Sequence, residues 1–161
     1  QKENQKALDI FERILLLNQD IGDKSIIKAA HGNKGIVLKN LKKYNDALKE
    51  YELQIKICEY SKDKTGIGIA KNSSGNVYKE IGDYDKAIEC FNKALEISID
   101  TGNRREEGTS LANIGEAQME IGNLDKSKDY LGKSLKIFKE IGDSYTESLI
   151  LDDLNKLNNE K

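Results

Sequence analysis

The sequence contains no proline and no tryptophan, and it has one histidine, one methionine and two cysteines among 161 residues. Without proline, no helix in the chain is broken by a ring that lacks a backbone donor. The longest aliphatic run covers only residues 14–17, whereas a membrane-spanning helix requires about 20 apolar residues. The chain is therefore expected to lack a transmembrane helix.

The chain also has no large excess of one charge. It contains 26 basic and 28 acidic residues, which give a net charge of −2. The densest basic spots are only pairs, at Lys42 with Lys43 and at Arg104 with Arg105. This balance predicts neither a nucleic-acid partner nor a membrane surface. Charged residues make up 34% and apolar residues 37% of the chain, which is typical of a thin helical array with much solvated surface.

The chemically reactive side chains are few and scattered. Cys58 and Cys90 lie far apart in sequence, so we predict two free thiols in a reducing compartment and hence a cytoplasmic protein. His31 has no cysteine near it, and no serine or cysteine is an evident nucleophile partner for it. We therefore predict no metal site, no cofactor, no catalytic residue and no enzymatic activity.

What the sequence does contain is a repeat of 40 residues. A fixed period of 20–50 residues marks stacked supersecondary units that bury their apolar faces against one another. Small residues and then large apolar residues recur at this interval: Gly35, Gly75 and Gly115; Ala7, Ala47, Ala87 and Ser127; Phe11, Tyr51, Phe91 and Leu131.

Residues 63–102 show what one unit is. Apolar residues follow helical spacing on both sides of Gly82 and Asp83. Glycine suits the left-handed position after a helix, and aspartate suits the N-cap of the next helix. Each unit is thus predicted to be an antiparallel hairpin of helices. Gly75 lies inside a helix, where glycine costs about 1 kcal/mol, so we expect it to pack tightly against the facing helix near Ala87.

The residues Gly75, Tyr78, Ala87, Phe91 and Ala94 resemble the pattern of the tetratricopeptide repeat (TPR). The 40-residue period is similar to the subclass found in the Pins/LGN adaptors and in related prokaryotic signalling proteins. This resemblance implies an all-α, right-handed superhelical solenoid of antiparallel helix hairpins, with about eight helices. It also implies that the first helix of each hairpin lines a concave surface.

We expect a single TPR array over residues 1–161, and a fragment of a longer protein. The first helix of the first unit is missing, and the last unit lacks its second helix. The predicted divisions are a half repeat at 1–22, three repeats at 23–62, 63–102 and 103–142, and a half repeat or capping helix at 143–161.

The resemblance assigns a partner-binding surface to the concave face. Its carboxamides and mixed charges suit an extended peptide or a helix. The candidate residues are Asn33, Ile36, Lys39, Asn40, Asn72, Asn76, Lys79, Glu80, Asn113, Glu116, Met119 and Glu120.

Three functions remain open at this point. The first is an interaction scaffold that binds a peptide or helical segment of a partner protein, and the second is a regulatory or sensory segment of a larger signalling protein. The third is a structural spacer or self-association unit. A monomer is expected, although the end helices offer a route to self-association.

Overall fold

The computed structural model describes residues 2–159, and within them the chain forms eight α-helices and no strand. The helices are α1 (Lys2–Leu17), α2 (Lys24–Asn40), α3 (Tyr44–Tyr60), α4 (Lys64–Ile81), α5 (Tyr84–Thr101), α6 (Arg104–Glu120), α7 (Leu124–Glu140) and α8 (Ser144–Asn159).

The helices stack in chain order, and each one packs on the next. Besides these sequential neighbours, the described helices that touch are α2 with α4, α4 with α6, and α6 with α8. The even-numbered helices therefore stand closer together than the odd-numbered ones, and the stack curves around them. We call the row α2, α4, α6 and α8 the inner wall. The predicted all-α solenoid of hairpins is confirmed.

Short turns with left-handed residues end the helices. Gly82 and Gly102 have φ of 88° and 67°, as the sequence predicted. Asp83 then caps α5 by accepting a hydrogen bond from the backbone N–H of Lys86 at 3.2 Å. Lys42 and Lys62 hold the same left-handed turn position with φ of 59° and 56°, although a side chain makes this conformation costly.

Recurring glycines let the two helices of a hairpin approach closely. A Cβ atom on Gly35 would lie 2.5 Å from the Tyr51 ring. Gly75 meets the ring of Phe91 in the same way. The tight contact predicted from the sequence is therefore present. The group opposite Gly75, however, is an aromatic ring one turn beyond Ala87, because the large side chain fills the space that the glycine leaves.

Candidate protein-binding groove

A groove of about 580 Å³ lies on the inner wall where α4, α6 and α8 come together. We call it the inner groove. Its volume is within the range of sites that enclose ligand groups. It is lined by Lys79, Glu80, Tyr84, Glu116, Met119, Glu120, Leu149, Asp152, Asp153 and Lys156.

The crossing of neighbouring helices decides which residues meet in the inner groove. Lys79 on α4 pairs with Glu116 on α6, 37 residues further along the chain. Lys39 on α2 pairs with Glu80 on α4 at 2.9 Å, at a separation of 41 residues. Residues that face each other on adjacent helices of the inner wall are therefore not separated by one 40-residue period. These ion pairs link adjacent helices of the inner wall.

The groove carries an excess of negative charge, since five of its lining residues are acidic and two are lysines. Lys156 bonds Asp153 at 2.7 Å, and this hydrogen bond is the main cause that raises the pKa of Lys156. Among residues 2–159, no lysine or arginine forms a salt bridge with Glu120 or Asp152. The Tyr84 hydroxyl lies 3.5 Å from the Glu120 carboxylate.

Apolar surface accompanies these charges. Leu149 on α8 is 48% exposed, and Met119 on α6 is half-buried against the neighbouring core. Both line the groove. The arrangement offers carboxylates for cationic groups and an apolar patch for a hydrophobic side chain.

Five of the twelve candidate residues come together in the inner groove: Lys79, Glu80, Glu116, Met119 and Glu120. Five others lie on α2 and α4 outside its lining, where their side chains are exposed or half-buried: Asn33, Ile36, Lys39, Asn40 and Asn76.

The remaining two candidates, Asn72 and Asn113, are buried rather than open to a partner. The Nδ2 atom of Asn72 donates to Ser110 Oγ at 2.9 Å and to Glu106 at 3.2 Å. Asn72 therefore holds α4 against α6. The prediction of open groove amides at Asn72 and Asn113 is wrong, because the repeat pattern does not reveal how neighbouring hairpins cross.

Half of the lining residues were missed by sequence reasoning. Asp152, Asp153 and Lys156 align with Ala112, Asn113 and Glu116 after a shift of 40 residues. Extending the repeat register to α8 would have placed them on the inner wall. Tyr84 had no comparable signal, because it opens a second helix. The missed residues are Tyr84, Leu149, Asp152, Asp153 and Lys156.

The repeat pattern and the fold agree with a comparison against known families. A model of the tetratricopeptide repeat matches residues 25–100 and again residues 66–140. The chain belongs to the tetratricopeptide repeat family. A search of curated proteins by sequence found no match.

Solved structures share the fold of this TPR chain at low sequence identity. The apo form of RapI has a TM-score of 0.86 at 20% identity, over 99% of this chain and 44% of that one. PH0952 from Pyrococcus horikoshii, described as a signal transduction ATPase with a tetratricopeptide repeat sensor, has a TM-score of 0.83 at 17% identity, over 99% and 27%. BtubC from P. vanneervenii has a TM-score of 0.74 at 14% identity, over 97% and 73%.

These similarities establish the fold of the TPR chain. The chain spans less than half the length of RapI and about a quarter of PH0952. TPR folds generally mediate protein–protein interaction. Across residues 2–159, none of the helices combines the length and the apolar character that crossing a bilayer demands.

Proposed function

We propose that this TPR array is a protein-interaction scaffold that holds a peptide or helical segment of a partner protein in its inner groove. The supporting observation is a groove of about 580 Å³ on the inner wall in which Leu149 remains 48% exposed. Leu149 and Met119 give this concave surface an apolar area rimmed by charged groups, and such an arrangement is typical of interaction sites.

The candidate residues outside the groove extend the proposed surface toward the N-terminal half of the inner wall. Ile36 on α2 is 45% exposed, and Asn40 and Asn76 are not buried. A bound segment longer than the groove would run along α2 and α4 past these side chains. Asn76→Ala is expected to weaken such binding and to leave stability nearly unchanged.

Site-directed photo-crosslinking in cells tests the proposal. A photoreactive amino acid replaces Leu149 in the groove, and in a matched variant it replaces Leu53, which lies on α3 and is 41% exposed. The segment captured from the Leu149 position is then synthesised and titrated by calorimetry. We expect it to bind the original chain and to bind Leu149→Ser at least about fivefold more weakly.

The same titration with Leu53→Ser is the control, because Leu53 has similar exposure but does not line the inner groove. Equal capture from both positions contradicts the proposal. An affinity that Leu149→Ser leaves unchanged also contradicts it.

A regulatory role is the second candidate function. It is favoured by the structural similarity to PH0952, a signalling ATPase whose tetratricopeptide repeat is described as a sensor. In this role, binding in the inner groove would alter the array and affect an attached domain. The sequence of the full-length protein distinguishes this role from a free-standing scaffold.

Self-association is the third candidate, favoured by the outer face of α1. Ile10, Leu17 and Ile21 in and after this helix are 57%, 64% and 72% exposed. Light scattering at two protein concentrations tests this candidate, and a mass that stays monomeric at both removes it.

A further inference from the structure

The carboxylates of the inner groove are not all neutralised within the molecule. Three of its acidic residues are paired: Glu80 with Lys39, Glu116 with Lys79, and Asp153 with Lys156. Glu120 and Asp152 line the same groove, are exposed, and form no salt bridge among residues 2–159. Two carboxylates therefore remain available to cations from outside.

The backbone adds to this negative potential. Helices α4 and α6 run in the same direction and end at Ile81 and Glu120, next to groove residues. The carboxyl end of a helix carries a partial negative charge of about half an electron. Two such ends beside two unpaired carboxylates favour positively charged groups in the groove.

The apolar residues of the groove lie close in sequence to these two carboxylates. Leu149 precedes Asp152 by three residues on α8, so the two side chains are neighbours on one face. Met119 directly precedes Glu120 on α6. A ligand that fills the groove thus meets apolar contacts flanked by carboxylates.

We infer that the partner segment is cationic, with at least two lysine or arginine side chains around an apolar residue that contacts Leu149 and Met119. This inference rests on the proposed function and specifies its partner. Its basic side chains would contact Glu120 on α6 and Asp152 on α8. An acidic segment would instead place like charges together, which costs binding energy.

Selection of random phage-displayed peptides on the immobilised chain tests the inference and does not require the partner to be identified first. Selected peptides are labelled with fluorescein, and their affinities are measured by anisotropy. We expect peptides rich in lysine and arginine whose affinity falls roughly fivefold or more in a Glu120→Gln, Asp152→Asn double variant. The affinity is also expected to fall as salt rises from about 50 to about 300 mM.

A second double variant, Glu59→Gln with Asp20→Asn, removes the same two charges elsewhere. Both residues are exposed and do not line the groove. This control variant should leave the affinity of the selected peptides unchanged. An equal loss in both double variants would mean that overall charge drives binding, and it overturns the inference.

Leu149→Ser separates failure of the inference from failure of the proposed function. Neutral or acidic peptides that lose affinity in Leu149→Ser would overturn the cationic partner and leave groove binding intact. If no selected peptide is sensitive to Leu149→Ser, both the inference and the groove-binding proposal are wrong. Thermal unfolding followed by circular dichroism confirms that each variant is folded.

Discussion

Gly75 on α4 lies directly against the ring of Phe91 on α5, with no room for a side chain between them. Phe91 is fully buried, so its ring is held by the surrounding core and has little freedom to move aside. The contact joins the two helices of the central hairpin. It explains why glycine occupies a position inside a helix, where it would otherwise be unfavourable.

Gly75→Ala is expected to lower the free energy of unfolding by about 1–3 kcal/mol, because the added methyl group overpacks the Phe91 contact. Gly132→Ala is the matched control. Gly132 lies inside α7, and a Cβ atom there would meet nothing within 4 Å. Gly132→Ala should raise the free energy of unfolding by about 1 kcal/mol, because alanine has the higher helix propensity. Urea unfolding measures both, and equal effects of the two substitutions would show that the close contact is absent.

Two buried serines on α7 differ in their hydrogen bonding. Ser127 Oγ has no hydrogen-bond partner among the described residues, whereas Ser134 Oγ donates to the Gly108 carbonyl at 2.7 Å. Both side chains are fully buried. Alanine occupies the position of Ser127 in the other repeats, at Ala47 and Ala87.

We expect Ser127→Ala to stabilise the protein by about 1 kcal/mol, because it removes an unsatisfied buried hydroxyl. Ser134→Ala loses a hydrogen bond and should be less stable than Ser127→Ala by about 1 kcal/mol. The helix-propensity gain is common to both variants, so it cancels in this difference. Denaturant unfolding of the pair provides the measurement, and a Ser134→Ala variant at least as stable as Ser127→Ala contradicts the assignment.

Acid should weaken the contact between α2 and α4. Lys28 on α2 bonds the Asp63 carboxylate at 2.5 Å, and Asp63 also accepts from the backbone N–H of Gly66. The Lys28 bond is the main cause that holds the pKa of Asp63 below its usual value. A carboxyl group with a lowered folded-state pKa stabilises the fold above the unfolded value of about 3.9 and loses this contribution as pH falls further.

Asp63→Asn removes the charge but keeps an oxygen that can accept from Gly66. We therefore expect its free energy of unfolding to change less than that of the original protein between about pH 5 and about pH 2. Asp20→Asn is the control, because Asp20 is exposed and forms no salt bridge within residues 2–159. Identical pH dependence in the original protein and Asp63→Asn would rule out this role for the pair.

The fold was predictable because its signals are local. Gly82 and Asp83 end one helix and begin the next through backbone chemistry that involves few neighbours, and Gly75 indicated a close helix contact. The turns at Lys42 and Lys62 carry no glycine signal, yet they adopt the same left-handed conformation. Lys42 and Lys62 stand 40 residues before Gly82 and Gly102, so the period of the repeat marks these two turns and composition does not.

The candidate site was less predictable because it depends on how one hairpin crosses the next. Lys79 faces Glu116 rather than the residue 40 positions further along the chain. Asn72 donates a hydrogen bond that joins α4 to α6. A repeat pattern gives each residue its place within its own hairpin. It does not give the shift between hairpins, which decides whether an inner-wall side chain is open or buried.

Lys42 and Lys62 provide a test of backbone strain in these turns. Their φ values of 59° and 56° match a position that glycine holds in the other turns, including Gly82 and Gly102. A left-handed residue with a Cβ atom costs about 1–2 kcal/mol, and the greater chain entropy of glycine offsets part of any gain from replacing it. Each of Lys42→Gly and Lys62→Gly should therefore raise the free energy of unfolding by about 0.5–1 kcal/mol.

The control is Lys49→Gly, at an exposed position inside α3 where the backbone is helical. There the same substitution should destabilise the protein by about 1 kcal/mol. The sign of the effect thus depends on backbone conformation and not on loss of the lysine charge. A Lys42→Gly variant that unfolds as early as Lys49→Gly would show that the left-handed turn stores no strain that glycine can relieve.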